Sequence, residues 1–362
     1  MVMKKIKKIL IGILFLVVLF VLGTYTYHSI QTGKEFALLK EAGYYNPVSV
    51  GDYSLNVASF GKEDGKHTIV GLAGLGMGDY AVAARQMTAC LEAENRVVFV
   101  DRAGYGFSGD TNEDMTLERI VEDYRKALQN AGIAAPYILM PHSIGGAYAN
   151  YWVSKYPEEI EGIVFVDGSQ LSVETLAQEQ TYNVSIGDRF MAVLAKLGFS
   201  RFVLRDYFYH YPDNYTDEEQ KLGDALTLMT LDSIAPESEA GLMGDNALKA
   251  FEGIVANEVP KLYICASWGL ETYEDIIAVN KWINRQIEIN DLKIPKRALE
   301  YDEETAQNIL TEYQKARENV IYPYAEKMGN CQVVCLAGDH VIYEQRPKEC
   351  GEMIRNFVDG LK

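Results

Sequence analysis

Six short apolar runs, at Thr68–Leu72, Arg96–Val100, Tyr137–Met140, Ile163–Val166, Leu262–Ala266 and Gln332–Leu336, constrain this chain more than any other feature. A strand with one wet face alternates polar and apolar side chains. Continuous apolar runs of four or five residues instead mark strands covered on both faces, as in a parallel sheet. The stretches between them are longer and carry helical spacing. Ile120, Val121, Tyr124, Ala127 and Leu128 share one helical face, and Gly132 follows as a C-terminal stop. Strand and helix in alternation predict an α/β domain with a doubly wound, mostly parallel sheet. Ahead of the first run, Tyr44–Ala58 alternates loosely around Gly51-Asp52, the pattern of a hairpin.

Two interruptions break the alternation. Between Ser169 and about Asn257 the chain is acidic and helical in pattern, with aromatic residues clustered at Tyr207, Phe208, Tyr209, Tyr211 and Tyr215. Such a stretch after a central strand is expected to cap the C-terminal edge of the sheet. A second helical insertion, about 268–327, includes Glu303–Arg317 and shows no strand pattern. The expected division is an N-terminal segment 1–30, a first core part 31–168, a helical cap 169–257 and a second core part 258–362. A chain of 362 residues suits one large α/β domain carrying such insertions.

The N-terminal segment differs in kind. Lys4, Lys5, Lys7 and Lys8 precede an uncharged run from Ile9 to Gly23, with apolar character extending from Ile6 to about Tyr27. About 20 such residues in a helix cross roughly 30 Å of hydrocarbon. Lysines ahead of the run hold that end in the cytoplasm, so a single-pass anchor in the cell membrane with an extracytoplasmic domain is expected. Tyr25 and Tyr27 then stand at the interface. A cleaved signal peptide begins the same way, but Val21 and Gly23 make a poor small-residue cleavage site. Setting the four lysines aside takes the formal charge from -17 to -21. A domain so anionic is repelled by anionic headgroups rather than drawn flat onto them. With 51 acidic against 34 basic side chains it also lacks the cation clusters that nucleic acid requires.

Chemistry concentrates in three places. Met140-Pro141-His142-Ser143-Ile144-Gly145-Gly146 lies between a strand and the helical stretch Ala147–Lys155. A serine on so tight a turn is forced into a strained backbone that projects its hydroxyl, and only small neighbours two residues away fit beside it. Gly145 meets that demand, while Pro141 stands where a glycine is usual. Gly71-Leu72-Ala73-Gly74-Leu75-Gly76 follows the first buried strand, and its glycines allow backbone N–H groups to face a pocket, as a developing oxyanion needs. By position, Leu75 and Ile144 supply the two donors. Of five histidines, His28 flanks the apolar run, His67 lies in a polar hairpin, His142 is inside the turn and His210 is in the first insertion. His340, in Ala337-Gly338-Asp339-His340 after the last strand, is the one placed to act as base for Ser143.

With these pieces in order, the chain resembles the α/β-hydrolases. Asp101-Arg102-Ala103-Gly104-Tyr105-Gly106-Phe107-Ser108, Pro141 to Gly146, Ile163-Val164-Phe165-Val166-Asp167 and Gly338-Asp339-His340 look like that family's blocks, over roughly Tyr44–Asp167 and Leu262–Leu361. The resemblance implies a Ser-His-acid triad, an oxyanion hole and no cofactor. It leaves Asp101 and Arg102 mainly structural, and it does not fix a substrate. The acid has two candidates. Ser267-Trp268-Gly269-Leu270-Glu271 lacks an aspartate where many relatives carry one, so Glu271 or Asp275 would have to reach from that loop. Asp167, ending the strand after the serine turn, is favoured over Glu271. The expected reaction is hydrolysis of a small-molecule or lipid-like ester, as in a carboxylesterase or lipase. Two alternatives stand beside it. One is an aminopeptidase resembling proline iminopeptidases, which needs carboxylates such as Glu174, Glu179 or Asp188 near Ser143. The other is a non-catalytic surface binding protein on a hydrolase scaffold.

No metal site is expected, since the five cysteines show no CxxC or His/Cys spacing. Cys265, Cys331 and Cys335 fall in runs expected to be buried. Cys331 and Cys335, about 13 Å apart along an extended strand, are too far from each other for a disulfide.

Overall fold

The structure is a computed structural model that describes residues 2–169, 181–203 and 209–361. Each apolar run is a strand, or lies within one residue of one. The strands are β1 (Pro47–Ser49), β2 (Ser54–Gly61), β3 (Thr68–Leu72), β4 (Arg96–Val100), β5 (Tyr137–Ser143), β6 (Ile160–Gly168), β7 (Lys261–Cys265) and β8 (Cys331–Cys335). They form one sheet in the order β1-β2-β4-β3-β5-β6-β7-β8. From β3 onward every pairing is parallel. β2 runs antiparallel to β4, and β1 to β2 through the Ser49↔Ser54 hairpin that Gly51-Asp52 closes.

The two-residue period of a strand sorts the apolar runs between two cores. Val70, Val98, Val100, Leu139, Ile163, Phe165 and Tyr263 face one side. There they meet α2 (Leu117–Asn130) and α3 (Gly145–Lys155). Ile69, Val97, Phe99, Ile138, Met140, Val164, Val166 and Ile264 face the other. A continuous apolar run is therefore two interleaved stripes, each buried by a different layer. Cys265 is buried, whereas Cys331 and Cys335 are only half-buried, contrary to expectation, because β8 is the edge strand of the sheet. All five cysteines are free.

Between β6 and β7 the described chain is helical: α4 (Ile186–Lys196), the short helix Ser200–Val203, α5 (Asp217–Leu231), α6 (Ala235–Gly241) and α7 (Met243–Glu252). Between β7 and β8 come α8 (Tyr273–Ile289), α9 (Glu303–Ala316) and α10 (Tyr322–Met328), and the C-terminal helix α11 (Pro347–Asp359) follows β8.

The N-terminal helix α1 spans Val2–Glu41, longer than the expected 1–30 segment. It is long and apolar enough to cross a membrane, by length and composition. Its two halves behave differently. Side chains from Ile9 to Phe20 are exposed, whereas Thr24, His28 and Leu39 are buried against the domain. Leu39 joins the second core, and the Phe36 ring packs on Tyr45 at 4.5 Å and on Phe107 at 5.4 Å.

Candidate active site

Strand order reverses around β3: the chain leaves it for β4 on one side and returns to β5 on the other. Loops leaving β3 and β5 diverge at that point and open a crevice at the strands' C-terminal ends, the usual ligand position in such sheets. Both the Gly71–Gly76 loop and Ser143 lie there.

Ser143 ends β5 with φ +50°, a left-handed backbone that an L side chain adopts only under constraint. The constraint is steric. A Cβ at Gly145 would stand 2.6 Å from the Leu72 carbonyl oxygen, so only glycine lets α3 begin so close to β3. Pro141 sits inside the strand opposite Leu72, so the departure from glycine costs β5 a ladder donor but leaves the turn intact. On the other flank, a Cβ at Gly74 would come within 3.1 Å of the Ser143 Cβ. The glycine loop therefore lies directly against the serine.

Two carbonyls in this crevice are held from behind. The Ser143 carbonyl accepts from the Ser169 N–H at 2.8 Å and the Ser169 hydroxyl at 2.7 Å. The Gly74 carbonyl accepts from Arg102 Nη2 at 2.7 Å, and Ala73 from Nη1 at 2.8 Å. In a planar trans peptide the N–H of the next residue points opposite to the carbonyl. The Ile144 and Leu75 N–H groups are therefore turned away from Ser169 and Arg102. Neither donates to another group among the described residues, whereas the next N–H, of Gly76, is taken by the Tyr105 hydroxyl at 3.0 Å.

Arg102 is the residue that sequence reasoning undervalued. It is buried, pairs with Glu239 of α6 through Nε at 2.8 Å, and its guanidinium lies 4.4 Å from the Tyr105 ring. Glu239 is fully buried and takes the Tyr148 hydroxyl on its other oxygen. The helices between β6 and β7 thus connect to the residue behind the glycine loop through the Arg102–Glu239 ion pair. A lone arginine after a strand carries no sequence signal for a carboxylate more than 130 positions away.

His340 and Asp167 are brought together. His340 Nδ1 lies 2.7 Å from Asp167 Oδ2. Asp167 is fully buried, with φ +44°. Its Oδ1 accepts from the N–H groups of Ala266 at 2.8 Å and Ser267 at 3.0 Å, and the Ser267 hydroxyl reaches Oδ2 at 2.5 Å. Ser267, in the loop after β7, therefore binds the Asp167 carboxylate. Glu271 goes elsewhere: it is exposed, 3.9 Å from Arg317. Asp275 caps α8 through the Thr272 backbone at 2.9 Å.

A carboxylate only accepts, so Nδ1 of His340 carries a proton and Nε2 presents its lone pair. Burial works to lower the His340 pKa, but the hydrogen bond and charge of Asp167 outweigh it and the net shift is upward. His142 is the opposite case. Burial, and then the charge of His340, push it down to about 3, and its Nδ1 meets the Val166 carbonyl at 2.9 Å. It stays neutral, with its ring 4.6 Å from that of His340 and 5.0 Å from Tyr343. Because His142 adjoins Ser143 in the chain, this tilted ring contact sets the His340 imidazole near the serine turn.

The remaining histidines make contacts elsewhere in the fold. His67 meets Glu161 at 3.1 Å, His28 meets Asp232 at 3.2 Å, and the backbone at His210 bonds Asn290. Of the carboxylates an aminopeptidase would need, Glu174 and Glu179 lie outside the described residues. Asp188 is half-buried and closes the N-terminal capping box of α4 with Ser185. Tyr207 and Phe208 also lie outside the described residues. Tyr211 packs against Tyr215 at 4.7 Å and donates to Asp79 at 2.6 Å.

Residues 69–219 match the family described as alpha/beta hydrolase fold. The uncharacterized protein YbdG of Bacillus subtilis is 33% identical over 276 residues, covering 73% of this chain and 80% of that protein. This chain belongs to the α/β-hydrolase fold family. Solved structures of the same fold include carboxylesterase CesB of Bacillus subtilis, at TM-score 0.50 and 13% identity, covering 93% of this chain and 99% of that one. The enol-lactonase of Burkholderia xenovorans LB400 has TM-score 0.50 and 15% identity, covering 87% and 100%. At such identities the likeness is one of fold.

Proposed function

We propose that this α/β-hydrolase is a serine hydrolase that cleaves an ester, or an amide, through an acyl-enzyme. The reading rests above all on the imidazole of His340, oriented by buried Asp167 at 2.7 Å, with its ring 4.6 Å from that of His142, the residue before the strained Ser143. Ser143 attacks the carbonyl carbon, and its proton passes to Nε2 of His340. Asp167 keeps the imidazole in the productive tautomer and stabilises the imidazolium. The N–H groups of Leu75 and Ile144, freed by Arg102 and Ser169, receive the oxyanion. The imidazolium then protonates the leaving group, and water, deprotonated by the same imidazole, releases the acid.

The helices between β6 and β7 act as the cap of this site, with Tyr211 and Glu239 tying them to the loop beyond β3. α1 serves as a membrane anchor that leaves the domain extracytoplasmic. Support for an uncleaved anchor comes from the Phe20 ring, which packs on Phe199 at 5.8 Å and would be lost on cleavage near Gly23. An anchored enzyme with an apolar-edged cap suits a lipid-like ester.

The test is labelling of the full-length protein with a fluorophosphonate, which should modify wild type and spare Ser143→Ala. A folded wild-type protein that stays unlabelled would sink the proposal. Turnover of aminoacyl p-nitroanilides but not of p-nitrophenyl esters of any chain length would overturn the ester assignment alone.

A further inference from the structure

α1 does not merely tether the domain, because part of the cap packs on the stretch of helix that belongs in hydrocarbon. The Phe199 ring lies 5.8 Å from Phe20, edge to face. Phe20 sits five residues before Tyr25, about 7.5 Å deeper at 1.5 Å per residue. The next contacts climb outward along α1. Gly198 seats so closely that a Cβ would stand 2.6 Å from that of His28, and Phe202 packs on Tyr27 at 5.6 Å. Arg201 then binds both Glu35 carboxylate oxygens at 2.6 Å. Aromatic contacts inside and an ion pair outside give this joint the polarity of a membrane boundary.

The cap surface continuous with that joint is apolar. Ile186, Phe190 and Val193 recur at helical spacing on α4, with Met191 beside them, while Ala192 and Ala195 turn inward. Ile186 is 88% exposed and Met191 62%, and Phe202 and Val203 extend the patch onto the short helix. The nearby cations are directed away from it, Arg189 to Asn112 at 2.7 Å and Lys196 to Asp110 at 3.4 Å. A cluster of large exposed apolar side chains calls for an occupant.

We infer that this face of the cap, Ile186, Phe190, Met191, Val193, Phe202 and Val203, is immersed in the bilayer leaflet adjoining the domain. The inference rests on the reading of α1 as a membrane-spanning anchor. The occupant is lipid because the patch is continuous with Phe199, whose partner Phe20 belongs to the spanning segment itself. The domain's net negative charge does not oppose it, since contact is made through an uncharged face that enters the acyl region rather than through the headgroup potential.

The test uses the full-length chain in phosphatidylcholine vesicles, with Cys90, Cys331 and Cys335 replaced by serine. An environment-sensitive fluorophore is placed at Met191→Cys, Val203→Cys, Phe15→Cys or Leu299→Cys. Lipids carrying a nitroxide on the acyl chain are expected to quench the Met191, Val203 and Phe15 labels at least twofold and to leave the Leu299 label unchanged. Quenching at Phe15 with none at Met191 or Val203 would refute immersion while the anchor stands. No quenching at Phe15 would remove the anchor reading and this inference with it. Protection of the Met191 and Val203 labels from both lipid nitroxide and aqueous iodide would assign the face to a second copy of the chain instead. Reading two cap positions, each checked by circular dichroism, guards against one misfolded variant.

Discussion

Replacing Asp167 by asparagine keeps the shape of the acid and removes its charge, and the surrounding hydrogen bonds dictate the outcome. Oδ1 of Asp167 faces two N–H donors, of Ala266 and Ser267. The amide of the variant must present its oxygen to that pair, since the reverse would leave two buried donors against an NH2 group. The NH2 group then faces His340 Nδ1 and the Ser267 hydroxyl. An NH2 group only donates, so Nδ1 must become the acceptor and the imidazole proton moves to Nε2, the atom that should take the proton from Ser143. Loss of the productive tautomer lowers kcat by about 10^4-fold, which is about 5 kcal/mol of barrier. Residual activity should also shift in pH. With the Asp167 charge gone, burial, the largest influence on His340, is opposed only by the smaller effect of the Asp339 charge, so the acid limb of the profile moves to lower pH. Folding should be little affected, because both backbone donors keep an acceptor. The assay is steady-state hydrolysis of a p-nitrophenyl ester by Asp167→Asn and, in parallel, Glu271→Gln, with melting temperatures for both. Asp167→Asn retaining a tenth of wild-type activity, or Glu271→Gln losing as much as it does, would refute the assignment of the acid.

Three further outcomes follow from the same geometry. In the wild type, His340 must be neutral to act and its pKa is raised, so kcat/KM should rise with pH through a midpoint above 6.5, as a pH profile will read. Glu239→Gln leaves the Arg102 guanidinium buried without its counter-charge, which costs about 3–5 kcal/mol of stability in urea unfolding. If Arg102 holds the glycine loop, kcat of the protein that remains folded should fall while KM changes little. The Glu344 carboxyl is pushed up to about 8 by burial, against the opposing hydrogen bond from Tyr209 at 2.7 Å. Its folded-state pKa thus exceeds its unfolded value near 4.5, so the folded state holds more protons between pH 4.5 and 8 and stability declines as pH rises across that window. Glu344→Gln should flatten that decline in thermal melts, and an unchanged slope would remove Glu344 as its source.

Strands β3 and β4 lie where the apolar runs place them, because burial on both faces demands a continuous apolar stretch and little else produces one. The serine turn was legible because its pattern of strand, serine, glycine and helix is local, although the contact that demands Gly145 comes from Leu72, far away in the chain. His340 could be picked out because few histidines compete for the position. The acid was harder. Asp167 and Glu271 both lie at C-terminal strand ends, and nothing along the chain says which of them the loop after β8 will approach. Arg102 was read as structural because its importance lies in contacts with Ala73, Gly74 and Glu239, none of them near it in the chain.

Apolar periodicity and glycine placement, both short-range properties, are enough to specify a parallel sheet, a strained serine and a helix able to cross a membrane. Packing had to choose the partner of the imidazole, the cation behind the glycine loop and the cap surface that meets α1. Each of those choices joins side chains far apart in sequence, through distances and directions that appear only when separate layers close on one another.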